Sequence, residues 1–213
     1  MNREQKLKIL EKLEQMYPEA KAELVFSNPY EMLVATILSA QCTDRQVNKV
    51  TPAVFSRYPD PVSMASADVS DLYPMVKSCG FSTKASNIIS ACRIIRDIYG
   101  GEVPHTMEEL TKLPGVGRKT ANVVLSNAFG IPAFAVDTHV FRVCNRLGLC
   151  KADNVAETEK QMTRIIPKEK WGQAHHWLIW HGRKLCKAQR PLCEECGVKG
   201  LCSYAAKSMK NEK

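Results

Sequence analysis

The sequence predicts an all-α protein, and three observations carry that prediction. Helix-opening signatures recur from end to end. Asn2-x-x-Gln5, Asn28-Pro29-x-Glu31, Thr43-x-x-Gln46, Thr106-x-x-Glu109 and Asn154-x-x-Glu157 each place a side-chain acceptor three residues ahead of a Glu or Gln. Gly80, Gly100, Gly130 and Gly148 fall where the resulting helices would end. No hairpin turn chemistry links alternating strands.

Taken in order, Asn2 opens a first helix. Asn28, with Pro29 at the first helical position, opens a second over Met32–Ala40. The run Met32–Leu38 is apolar all round and would suit a buried strand, but its cap and its Ala, Met and Leu content favour a buried helix. Gln41 follows that helix, and Thr43 opens the next. Asp44 either caps its helix or faces a ligand pocket, and capping is the reading its chemistry favours. Phe81 follows Gly80 in a turn, which suits either a core aromatic or a side chain that inserts into a gap in a nucleic acid. Thr106 opens a short helix, and Asn154 opens one that Pro167 closes. Trp171, Ala174, His175 and Leu178 keep helical spacing and read as a core stripe, so His175 and His176 are taken as structural.

The stretch Leu113–Asp137 organises the rest. Pro114-Gly115-Val116-Gly117 is a tight turn, and the helix after it carries Ala121, Val124, Leu125 and Ala128 on one apolar face. Backbone N–H groups of a Gly-rich turn at a helix start are unsatisfied and can hold a phosphate oxygen. The spacing is neither a phosphate-binding P-loop nor a dinucleotide-binding GxGxxG, and a turn that merely packs is the alternative. Lys119 points away from the apolar face, with Val123 and Ser126 beside it. It is either an ordinary solvated Lys or a nucleophilic amine in a cleft. Asp137 stands where an N-cap belongs for a helix over Thr138–Leu147.

Composition bounds the partners. The chain has 213 residues, is 45% hydrophobic and carries a net charge of +8, enough for a core and consistent with a polyanionic partner. It shows no signal peptide and no apolar run approaching a membrane span, so its nine Cys are assigned to a reducing compartment and to metal ligation ahead of disulfides. Cys186, Cys193, Cys196 and Cys202 read C-x6-C-x2-C-x5-C. Four thiolates so spaced suit tetrahedral zinc or a [4Fe–4S] cluster, and spacing alone leaves both open. Cys42, Cys79, Cys92, Cys144 and Cys150 read as small buried or half-buried side chains. Lys184, Lys187 and Arg190 interleave with the ligands, on a loop that is either solvated or in contact with phosphate.

Four motifs in order carry a resemblance. Leu113-Pro-Gly-Val-Gly-Arg-Lys-Thr-Ala resembles the helix–hairpin–helix of the endonuclease III family of DNA glycosylases, and Ala135-Val-Asp-Thr-His139 resembles that family's catalytic Asp segment. Leu38-Ser-Ala-Gln-Cys-Thr-Asp44 and the C-terminal Cys quartet extend the similarity over nearly the whole chain. The resemblance implies the helix–hairpin–helix glycosylase fold in two helical domains flanking a cleft. One is a six-helix barrel over 22–131 with the hairpin at about 106–130; the other, 1–21 plus 132–213, holds a [4Fe–4S] cluster on Cys186, Cys193, Cys196 and Cys202.

The same resemblance implies function. It makes Lys119 the nucleophile and Asp137 the catalytic carboxylate, and it has Gly115, Val116, Gly117 and Arg118 hold the DNA backbone. Gln41 would fill the gap left by an everted nucleotide, and His139 would lie nearby in the cleft. At the wedge position the family typically has an aliphatic residue in a slightly longer loop, so Phe81 departs from its pattern. The implied enzyme is a bifunctional DNA glycosylase/AP lyase of base excision repair, a cytoplasmic, nucleoid-associated monomer that removes oxidised pyrimidines from double-stranded DNA. An adenine-mismatch glycosylase, which generally lacks Lys at this position and carries a further C-terminal domain, is the rival within the fold. Outside it the rival is a non-catalytic DNA-binding or redox-sensing module.

Overall fold

Each helix-opening signature in the sequence becomes a helix start. In the computed structural model, which describes residues 1–206, the chain forms α1 (Arg3–Met16), α2 (Pro29–Leu38), α3 (Asp44–Arg57), α4 (Pro61–Ala65), α5 (Val69–Val76) and α6 (Ser82–Ile98). There follow α7 (Met107–Leu110), α8 (Arg118–Ala128), α9 (Thr138–Leu147), α10 (Val155–Ile165) and α11 (Trp171–Lys184). Short 3₁₀ turns lie at Lys77–Cys79, Lys168–Lys170 and Lys199–Leu201, and there is no strand among the described residues. Asn2 and Gln5 close a reciprocal capping box on α1. Asn28, Thr43, Thr106 and Asn154 each accept the backbone N–H three residues on, at 2.9, 3.2, 3.2 and 2.9 Å. One capping expectation fails: Thr43 caps α3, and Asp44 is its first helical residue. The hydroxyl one position earlier already reaches the orphan N–H, which leaves the carboxylate to the first turn, where the helix dipole favours it.

The chain divides into two compact units: Ala22–Ile131, and Met1–Lys21 with the chain from Pro132 onward. In the first, α2 is the centre. Every residue from Met32 to Leu38 is buried, because α3, α6 and α8 all pack on it. Each such Leu, Ile or Met withdrawn from water stabilises the unit by about 1.5–3 kcal/mol. The one polar side chain in the run is satisfied, since the Thr36 hydroxyl donates to Met32 O at 2.7 Å. α6 packs on α4 and α5, and α8 is held between α2 and α7.

In the second unit α9 and α11 pack together, with α1 and α10 completing the layer. Ile9, Leu10 and Leu13 of α1 join Val140, Val143, Cys144 and Leu147 of α9 and Trp177 and Leu178 of α11 in one core. His181 is fully buried there, bonded through Nδ1 to the Tyr17 hydroxyl at 3.0 Å. No helix among the described residues is long and apolar enough to cross a membrane.

Candidate functional site

The hairpin is built from the turn outward. Val116 N–H donates to Leu113 O at 3.1 Å, closing the turn, and Ala121 N–H donates to Gly117 O at 2.9 Å, starting α8. Gly115 has φ +78°, and a Cβ there would lie 3.0 Å from Cβ of Asn87 on α6, so this position needs Gly twice over. Gly117 differs. Its φ is −90°, a Cβ on it would meet nothing within 4 Å, and as N-cap of α8 it offers no side-chain bond. Nothing in the chain itself demands Gly at 117; what the missing side chain leaves is open space at an uncapped helix start. Val116 buries its side chain, so only its backbone is available to a ligand. Arg118 and Lys119 follow as exposed residues in the first turn.

Asp137 sits at the other kind of helix start. Its carboxylate accepts from Val140 N–H at 2.8 Å and caps α9. The segment before it is buried from Ala133 to Val136 and is held by His175, whose Nδ1 bonds Ala135 O at 2.8 Å. His139 is half-buried in the first turn of α9, and desolvation holds its pKa below the ordinary value against the opposing pull of Asp137. The Arg142 guanidinium meets its Nδ1 at 3.2 Å, which assigns Nδ1 as acceptor and leaves the ring neutral.

Gln41 and Phe81 stand on two turns of the first unit. Cys42 N–H donates to Ser39 O at 3.0 Å, closing a turn with Gln41 at its third position and φ +56°. Turns that need positive φ there ordinarily take Gly or Asn, so Gln41 holds about 1 kcal/mol or more of backbone strain, exposed at the end of α2. Phe81 is 79% exposed at the start of α6, which removes the core-aromatic reading. A Phe this exposed earns no stability from burial. The Cys79 thiol, behind Gly80, is pushed up to about 11 by burial and by its hydrogen bond to Cys42.

The four C-terminal Cys line one open recess, walled by Leu147, Leu185, Leu192 and Tyr204. Burial raises the pKa of Cys196 and of Cys193, and the neighbouring Cys186 and Cys202 raise both further, a mutual repulsion that a cationic centre relieves. The donor set, four thiols lining one recess, two of them raised in pKa by burial and by the others, has the chemistry of a thiolate-ligated metal centre. Bound there, the cluster supplies a rigid cross-link among the four thiolates.

Three residues around this recess were not visible as functional in the sequence. Arg142 donates to Cys186 O and Gly182 O, and Arg146 donates to Lys187 O and Ala188 O and lies 3.8 Å from Cys186 Sγ. His181 Nε2 lies 3.8 Å from Cys196 Sγ. The helix that begins at Asp137 thus grips the cysteine loop four and eight residues after His139's neighbour Thr138. The signal that could have found the two Arg is their i, i+4 spacing on one face of α9. Lys184 lies over the Trp180 and Tyr17 rings, at 4.1 and 5.7 Å from their centroids.

The fold and these two helix starts define a class, the helix–hairpin–helix DNA glycosylases, and comparison with known proteins narrows it. Residues 34–168 match the HhH-GPD superfamily of base excision DNA repair proteins, and 186–202 match the iron-sulfur binding domain of endonuclease III. The chain is 52% identical to Endonuclease III of Bacillus subtilis over 200 residues, covering 93% of this chain and 91% of that one. It is 45% identical to Endonuclease III of Escherichia coli K12 over 208 residues, 97% and 99% of the two chains. A solved structure described as a trapped endonuclease III–DNA covalent intermediate superposes with a TM-score of 0.93 at 48% identity, over 98% of this chain and 99% of that one. A thermostable thymine-DNA glycosylase superposes at 0.84 with 25% identity, over 96% and 98%.

The chain belongs to the endonuclease III family: it is a base excision repair DNA glycosylase with AP lyase activity, acts on DNA and carries a [4Fe–4S] cluster.

Proposed function

We propose that the enzyme removes oxidised pyrimidines, thymine glycol among them, from double-stranded DNA, with Lys119 as nucleophile and Asp137 as its carboxylate partner. In this reading Gly115, Val116, Gly117 and Arg118 hold the phosphate backbone through main-chain N–H groups and one guanidinium. Gln41 fills the gap left by the everted nucleotide, and Phe81 wedges beside it. His139, neutral at pH 7, lines the same nucleotide's pocket without adding charge. The enzyme works as a monomer on the nucleoid.

The chemistry follows from a primary amine and a carboxylate. Asp137 takes up the proton that Lys119 must shed and stabilises the positive charge developing on the sugar. The Nζ lone pair attacks C1′; the N-glycosidic bond breaks, and its electron pair leaves with the base, which is protonated. The deoxyribose ring opens as O4′ departs from C1′, giving a Lys119 Schiff base. Loss of a C2′ proton then expels the 3′ phosphate by β-elimination, and water hydrolyses the imine to restore the amine. The cluster takes no part in these steps; its four ligands hold the loop that Arg142 and Arg146 bind.

The observation that carries this reading is the uncapped, sterically open start of α8 at Gly117, two residues from Lys119. The test is incubation with a duplex carrying one thymine glycol, with sodium borohydride added to trap the imine. The expected result is a covalent adduct whose peptide map places the crosslink at Lys119 in wild type and no adduct for Lys119→Gln. An adduct on the Gln variant would remove Lys119 from the role.

A further inference from the structure

Lys84 makes contacts that the proposed chemistry does not use and that no sequence motif marks. It is the third residue of α6, part-buried, and its ammonium donates to three main-chain carbonyls at once: Leu38 O at 2.8 Å, Cys79 O at 2.5 Å, and Ala40 O. A Lys ammonium has three donors and no acceptor, so all of its hydrogen-bonding capacity is committed. Leu38 is the last residue of α2, and Ala40 immediately precedes Gln41. The third carbonyl belongs to the turn that delivers Phe81.

Other features agree with that arrangement. The C-terminal carbonyls of α2 lack helical partners and carry the negative end of its dipole, where a cation is favoured. Gly80 has φ +129°, and a Cβ on it would stand 3.3 Å from Lys84 Nζ, so the missing side chain is what admits the ammonium. Gln46 of α3 donates to Ser78 Oγ at 2.8 Å, a second tie to the same 3₁₀ turn. Gln41 keeps a left-handed backbone that its side chain does not favour, and such strain persists only where surrounding contacts over-determine it.

We propose that Lys84 is a positioning residue for opening the duplex: its ammonium ties the Gln41 turn to the Phe81 turn, so that the two side chains enter the DNA in a fixed mutual register. The inference rests on the reading that Gln41 and Phe81 are the intruding residues. Eversion costs a few kcal/mol of unstacking, which the inserted side chains offset only if both are already in place when the base leaves. A loose pair would have to be ordered at that moment, and the ordering would slow the step.

Single-turnover base release from a thymine glycol in a fully paired duplex, compared with the same lesion in a three-nucleotide bulge of already unstacked bases, isolates this role. Lys84→Met keeps the aliphatic stem and removes the ammonium. It is expected to slow release from the duplex by about tenfold or more while staying within about twofold on the bulge, where little unstacking remains to be offset. Equal loss on both substrates would mean a general structural role and overturn the proposal, as would no loss on either. Should Lys84→Met fail to fold, Lys84→Arg decides. It keeps a cation at the end of α2, but a planar fork cannot direct three donors at these three carbonyls, so the duplex should again be penalised selectively; a wild-type duplex-to-bulge ratio would overturn the proposal. Gln41→Ala and Phe81→Ala run alongside. If neither changes the ratio, the intruding-residue reading fails and takes the Lys84 role with it. If they change it and the Lys84 variants do not, only the Lys84 role falls.

Discussion

Two helices of this chain begin in opposite ways. At α9 the Asp137 carboxylate closes the helix start on itself by accepting Val140 N–H. At α8 the N-cap is Gly117, with no side chain to give, and space stands where a Cβ would be. The first N–H groups of any helix lack intrahelical partners. Where the chain satisfies them internally, the capping group is fixed; where it does not, an outside anion can take its place. One start therefore holds a carboxylate still, and the other leaves open space two residues from the Lys119 amine, where the proposed function seats a phosphate. A single residue type, Asp or Gly, decides which.

Substitutions break this comparison in order of expected effect. Lys119→Gln should lower base release and strand scission by at least ~10³-fold, with duplex affinity by fluorescence anisotropy nearly unchanged, because it removes the proposed nucleophile and leaves the open helix start intact. Variants at Asp137 next separate its cap from its proposed catalytic role. Asn caps a helix about as well as Asp, so Asp137→Asn should keep stability within about 0.5 kcal/mol yet slow single-turnover release by ~10²–10⁴-fold; Asp137→Ala should add about 1 kcal/mol of lost cap in denaturant melts. Equal activity for the Asn variant and wild type would reduce Asp137 to a cap.

The two hairpin glycines give a smaller and opposite pair of effects. Gly115→Ala places a Cβ against Asn87 at positive φ and should cost about 1–3 kcal/mol of stability. Gly117→Ala should melt like wild type while binding duplex DNA several-fold more weakly. If instead Gly117→Ala binds as well as wild type, the space at that position has no phosphate to admit.

The smallest of these expected effects is one of pH, at the start of α9. His139 titrates in that first turn, and burial holds its pKa below the ordinary value of about 6.5. Above pH 6.5 the ring is neutral in both folded and unfolded chains. As pH falls below that, the unfolded chain takes up the proton first, so this contribution to stability is present above 6.5 and is lost as pH falls towards the folded value. Urea melts at pH 7.5 and 5.5 should show a smaller difference for His139→Gln than for wild type.

Much of the fold was legible because helix starts are local events. Asn2, Asn28, Thr43, Thr106 and Asn154 cap within three residues of themselves, so the sequence alone places them. Asp44 misled for the same reason, since two good capping residues stand side by side and only the backbone chooses between them. Phe81 was ambiguous because a lone aromatic after Gly does not state which side of the turn faces water.

What the sequence determined by itself is the set of short-range devices: the caps, the Gly-rich turn before Lys119, Asp137 at the head of α9, and four Cys within seventeen residues. Each is an interaction between neighbours in the chain. Tertiary structure decided the long-range ones. Lys84 reaches carbonyls 46 and 44 residues away, Arg142 and Arg146 reach the cysteine loop across 40 to 44 residues, and His181 meets Tyr17 across 164. The i, i+4 spacing of Arg142 and Arg146 puts both on one face of α9, but nothing local states which distant group any of these side chains meets. Such contacts exist because packing brings distant carbonyls and rings within reach of one polar head, and a buried polar group must find a partner wherever the fold supplies one.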